Sequence, residues 1–101
     1  KIMKVHIGTF KTLTTLYHDY DSCCWEIDKP EDSRMGEDYC ILRKGSILKA
    51  YQLDNDEIGD YGYEIVLEST SNSWIGFESI DDLYNYQYVY EVKRPIEGSE
   101  R

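Results

Sequence analysis

What most constrains this chain is a series of short segments in which apolar and polar residues alternate, separated by polar turns. Lys4-Val5-His6-Ile7 is the first. Tyr63, Ile65 and Leu67 alternate with Glu64, Val66 and Glu68, and Tyr86, Tyr88, Tyr90 and Val92 alternate with Gln87, Val89 and Glu91. A period of two is the mark of a strand with one wet face. Strands this short, recurring about every 8–12 residues, indicate a small all-β sandwich or barrel. Its 101 residues suit one domain.

The rest of the chain fits that reading. Phe10 to Tyr20 carries a helical spacing (Phe10, Leu13, Tyr17), but Thr9, Thr12, Thr14 and Thr15 favour extended backbone, which we take. Ser22 to Ile27 reads as a strand and 28–38 as a polar loop with Pro30 and Gly36. Arg43-Lys44-Gly45-Ser46 is a turn signal. Ser46 to Leu53 follows as a strand with Ile47, Tyr51 and Leu53 on one side. Ser69 to Ser73 is a tight connection into the strand 74–78. Ser79-Ile80-Asp81-Asp82-Leu83-Tyr84 reads as one helical turn, with Ser79 as cap and two aspartates at the positive helix start. The expected organisation is a single domain: an N-terminal strand or arm over 1–9, a barrel over 10–92, and a frayed tail over 93–101.

The order in the second half resembles the Src-homology-3-like barrels. A strand opens after a Lys-Gly turn, an acidic loop follows, then a hairpin, one helical turn and a final strand. Leu16-Tyr17-His18-Asp19-Tyr20 is similar to the Ala-Leu-Tyr-Asp-Tyr motif of the signalling domains, with His18 inserted, and Arg43-Lys44-Gly45-Ser46 to their Lys-Gly-Asp turn. Tyr61 and Tyr63 stand where those domains carry two tryptophans, and Ile80 to Tyr84 replaces their Pro-Ser-Asn-Tyr segment. The resemblance covers about Leu16 to Val92 and implies the small barrel. The chain also resembles short acidic proteins of bacteriophages and mobile elements.

Composition bears on function. Twenty acidic residues against eleven basic give a net charge of -9. That argues against direct nucleic-acid binding, which needs a positive patch. It suits solubility, or attraction to a basic protein surface. Ten tyrosines make up most of the aromatic content, and tyrosine buries its ring while its hydroxyl seeks water or a partner. Tyr86, Tyr88 and Tyr90 at period two read as one face of one strand, either the core edge of a barrel or an exposed platform. No apolar run approaches the ~20 residues of a membrane helix, and Lys1 to Phe10 lacks the apolar centre of a signal peptide. Cys23, Cys24 and Cys40 form no even disulfide framework, so reduced, buried thiols in a cytoplasmic setting are expected.

Cofactor chemistry finds little to stand on. Asp54, Asp56 and Gly59 match the first, third and sixth positions of a calcium loop, but Ile58 fails the fifth and Ile65 takes the place of the bidentate Glu. Cys23, Cys24, Cys40 and His18 are zinc-type ligands without the usual spacing, and adjacent strand residues face opposite ways. No cofactor, no metal and no catalytic residue is expected. We expect a non-enzymatic module whose protein partner has a basic surface, met by Asp54, Asp56, Glu57, Asp60, Tyr61, Tyr63, Asp81, Asp82 and Tyr84. One form is an inhibitor occupying a nucleic-acid-binding site, its carboxylates standing in for phosphates toward arginine. The alternatives are a scaffolding or peptide-docking module and a small virion assembly component.

Overall fold

A computed structural model describes residues 4–19, 24–29, 41–54 and 62–93. Among these the chain is all-β with one short helix. The strands are β1 (Lys4–Thr12), β2 (Leu16–Asp19), β3 (Cys24–Glu26), β4 (Ile41–Leu42), β5 (Ile47–Leu53), β6 (Ile65–Ser69), β7 (Trp74–Phe77) and β8 (Val89–Lys93), and the helix α1 (Ile80–Tyr84) lies between β7 and β8. Five strands in the order β7-β6-β5-β1-β8 make an antiparallel sheet curled into a half-barrel. A second sheet, β3-β2-β4, has Leu16 paired with Leu42, and both leucines belong to the same core as the half-barrel.

The inner face follows from the register. Phe10 lies opposite Leu48, Ala50 opposite Leu67, Leu67 opposite Ile75, and Ile65 opposite Phe77. All are buried, and Leu83 of α1 and Val89 of β8 close the cluster. The expected phase of β5 is corrected here: Leu48 and Ala50 point inward, and Ile47 is exposed. Cross-strand neighbours decide this, since the segment has apolar residues in both phases. On the β5 side β1 carries one extra residue, Ile7; on the β8 side the extra residue belongs to β8, where Val92 falls between the partners of Thr9 and Phe10. Bulges of this kind bend a strand and raise its twist. His6 Nε2 donates to the Gly8 carbonyl at 2.8 Å, across the first of them.

The Arg43–Ser46 signal is a tight turn: Ser46 N–H donates to Arg43 O at 2.9 Å, and Gly45 has φ +86°. That value is left-handed and favours glycine at the third position of such a turn. Thr12, only 2% exposed, holds it in place. Its hydroxyl donates to Arg43 O and accepts from Ser46 N–H, each at 3.0 Å, and its backbone bonds Gly45 and Ser46. Ser69 Oγ organises the β6–β7 turn by accepting from the Ser71 and Ser73 N–H groups, with Asn72 at φ 68°. α1 forms where expected: Ser79 Oγ accepts from Asp82 N–H at 3.3 Å, with Asp81 and Asp82 in the first turn.

Thr12→Val preserves shape but removes both side-chain bonds to the turn, the one given to Arg43 O and the one taken from Ser46 N–H. It should cost about 1–2 kcal/mol in urea unfolding, and Thr12→Ser should recover most of the loss. A Val variant as stable as the parent would show that the turn does not depend on this hydroxyl.

Candidate functional site

The tyrosine stripe of the final strand is corrected first. β8 begins at Val89, so Tyr86 and Tyr88 lie in the connection after α1 and only Tyr90 is in the strand. Tyr90 is exposed on the outer face. Tyr86 and Tyr88 are half-buried against the core. Their rings meet edge to face at 5.5 Å, and Tyr86 packs on Phe77 at 5.1 Å. The run carries apolar residues on both faces, so its alternation could not show where the strand starts.

The turned-in Tyr86 helps line a cleft of about 760 Å³. The cleft follows β7, an edge strand of the five-stranded sheet. Trp25 and His18 form the wall across from β7, their rings 5.2 Å apart. Trp74 and Tyr63 form the wall on the outer face of the sheet, 5.7 Å apart. Glu78 and Asp82 stand where β7 runs into α1. Trp25 Nε1 donates to Trp74 O at 3.1 Å and joins the small sheet to the large one.

The backbone of β7 shows which groups meet this space. The carbonyls of Ser73 and Phe77 accept from Ser69 and Glu64, on the β6 side. Because backbone direction alternates along a strand, Trp74 and Gly76 turn their N–H and C=O groups outward. Trp25 takes the Trp74 carbonyl. The outward groups of Gly76 meet no partner among the described residues. Gly76 has a packing reason as well: a Cβ there would lie 2.5–2.8 Å from the base of the Tyr63 ring. Val66, which is paired with Gly76, is buried outside the main core.

The acidic residues gather by topology. Register and hydrogen bonds place the end of β5, the start of β6 and the end of β7 at one end of the sheet. Asp54, Glu64 and Glu78 therefore sit at that end, and Asp81 and Asp82 follow on α1. Lys4 belongs to the same end, but its ammonium lies 2.9 and 3.0 Å from the Glu68 carboxylate oxygens and 4.3 Å from the centre of the Tyr51 ring. Arg43 and Lys44 occupy the turn at the opposite end. Of the nine residues expected to meet a partner, Tyr63 and Asp82 both line the cleft. Asp54 and Asp81 do not line it but lie at the same end of the sheet. Tyr84 is exposed beside Phe10, and its hydroxyl donates to Glu91 at 3.4 Å. Asp56, Glu57, Asp60 and Tyr61 lie outside the described residues, as do Cys23 and Cys40.

Cys24 is exposed, which corrects the expectation of buried thiols for this one. It is paired with Asp19, and His18 with Trp25, and both Cys24 and His18 are among the residues that line the cleft. Among the described residues no three His, Cys, Asp or Glu side chains come together as a metal site. Trp25, Trp74 and His18 were not foreseen as a site. Trp25 and Trp74 are 49 positions apart, and nothing local in the sequence announces their contact. Comparison with protein-family models, curated proteins and solved structures gives no match.

The Tyr86 phenol is pushed up from the ordinary 10.0 to about 12, first by burial and then by the nearby Tyr88, Cys24 and Glu26. The folded chain thus holds this proton more tightly than the unfolded one. The stabilisation is complete below about pH 10 and is lost as pH rises toward 12. Tyr86→Phe should flatten that part of the stability profile, read by thermal melts from pH 9 to 12; an unchanged slope would show that the ring is not held as described. Gly76→Ala should destabilise by about 1–3 kcal/mol in chemical denaturation, because the Tyr63 ring must move. A neutral or stabilising result would mean that the ring is loosely placed.

Proposed function

We propose that the domain is a non-catalytic, acidic protein-binding module that docks on a basic surface of another protein. One observation carries the reading: an aromatic cleft opens beside the end of the sheet where Asp54, Glu64, Glu78, Asp81 and Asp82 gather. Rings supply contact area at low entropic cost, and carboxylates steer and orient a cationic partner.

The reading draws on the resemblance of the strand order to the Src-homology-3-like barrels. β5, β6 and β7 form a meander, α1 follows, and β8 returns beside β1. Leu16–Asp19, which resembles the signalling motif, lies in the small sheet. In its strongest form the module is an inhibitor of the kind found in bacteriophages, its carboxylates filling a nucleic-acid-binding site on a host protein.

The test uses a partner captured from cell lysate and then purified. Its affinity should fall at least about tenfold between about 50 and 300 mM salt, because exposed charges are screened. Asp81→Asn with Asp82→Asn should reduce that salt dependence. Affinity indifferent to salt would overturn the reading. If Tyr63→Ala abolishes binding while the aspartate changes only slow association, the module is a peptide- or domain-docking scaffold in which charge steers and rings hold.

A further inference from the structure

We infer that the cleft takes an extended basic peptide, which adds to the free edge of β7 and lays a Lys or Arg side chain against Glu78 and Asp82. This deepens the reading of an acidic protein-binding module and rests on it.

Three observations meet at one place. The first is the edge itself. Gly76 turns an N–H and a C=O out of the five-stranded sheet, and neither has a partner among the described residues. An extended chain running beside β7 would accept from one and donate to the other, which is the way edge strands recruit peptides. The Tyr63 ring covers one face of Gly76, and a guest would approach in the plane of the sheet, along its outward N–H and C=O.

The second is the space. A volume of about 760 Å³ lies along this edge, within the usual range for ligand sites of about 300–1,000 Å³. The Trp25 indole blocks the edge at Trp74 by taking its carbonyl. That fixes where a guest strand can lie: beside Gly76 and on toward Glu78, away from Trp74. Its side chains would alternate between the Trp74–Tyr63 wall and the Tyr86–Phe77 side. The Tyr86 hydroxyl has no hydrogen-bond partner among the described residues and remains available to a guest.

The third is charge. The described residues lining the cleft include Glu78 and Asp82 but no Lys or Arg. Neither carboxylate is ion-paired among the described residues. Glu26 is close enough to Tyr86 to raise its pKa, so negative charge also reaches the cleft from β3. An acidic guest would be repelled from both sides, whereas a cationic side chain would find two carboxylates at the open end of the edge.

The test adds three blocked pentapeptides to the 15N-labelled full chain. One is acetyl-Lys-Val-Arg-Val-Lys-amide. The second is the same peptide N-methylated at alternate amides, and the third has Glu for every Lys and Arg. The basic peptide should shift the Gly76 amide and the Trp25 and Trp74 indole resonances. N-methylation should weaken it at least about tenfold, as expected when backbone hydrogen bonds are removed from a short ligand. The Glu peptide should leave these resonances unmoved. Glu78→Gln with Asp82→Asn, both exposed and not needed for the core, should weaken the basic peptide several-fold. Equal binding by the methylated peptide, with shifts gathered at Asp54 and Asp81, would overturn strand addition while leaving the basic-partner reading standing. Failure of the basic peptide to shift Gly76 at millimolar concentration would overturn strand addition outright. So would concentration-dependent protection of the Gly76 amide without any peptide, which would assign the edge to a second copy of the chain.

Discussion

Everything in the half-barrel hangs on β1 being paired along both sides. β5 lies against one edge and β8 against the other, both antiparallel. Without β1, the β5–β6–β7 meander and β8 would share no hydrogen bonds, and Phe10 would leave the middle of the core. The two register breaks that flank β1, at its own Ile7 and at Val92 of β8, bend the strands and add twist as the sheet curls. Thr12 then ends the strand by anchoring the turn from which β5 departs. A single nine-residue strand thus sets the curvature, joins early and late parts of the sequence, and positions the turn behind it.

The features readable from sequence are those with local causes. Ser79 and the two aspartates after it announce α1 without help from the fold. The Lys-Gly pair announces its turn because only a residue tolerant of positive φ fits there comfortably. All-β architecture is legible from spacing alone. What the sequence hid has non-local causes. Ile47 and Leu48 are equally apolar, and only the facing Phe10 decides which goes inside. Tyr86 and Tyr88 continue the rhythm of β8 without belonging to it, because Leu83 and Phe77 draw the connection after α1 into the core. Among the expected contact residues, Tyr63 and Asp82 share the cleft, yet the cleft itself is made by a Trp–Trp contact that no pattern in the chain encodes.

The two ends of the sheet differ in charge. The turn at one end carries Arg43 and Lys44; the other collects carboxylates from β5, β6, β7 and α1. Lys4 lies at the acidic end but is held by Glu68 and the Tyr51 ring on the outer face, so it neutralises little of the cleft. The charge of the described residues thereby acquires a direction along the sheet, a fixed asymmetry in the field around the domain.

Both tryptophans of the chain stand on the walls of the same cleft, one donating its indole N–H to the backbone of the other. The tryptophan emission of this protein, selected by excitation beyond the tyrosine band, therefore originates at a single place. Anything that enters the cleft, parts that hydrogen bond or admits water to the rings alters the colour or yield of the light. The chain carries its own optical probe, and that probe reports on the cleft.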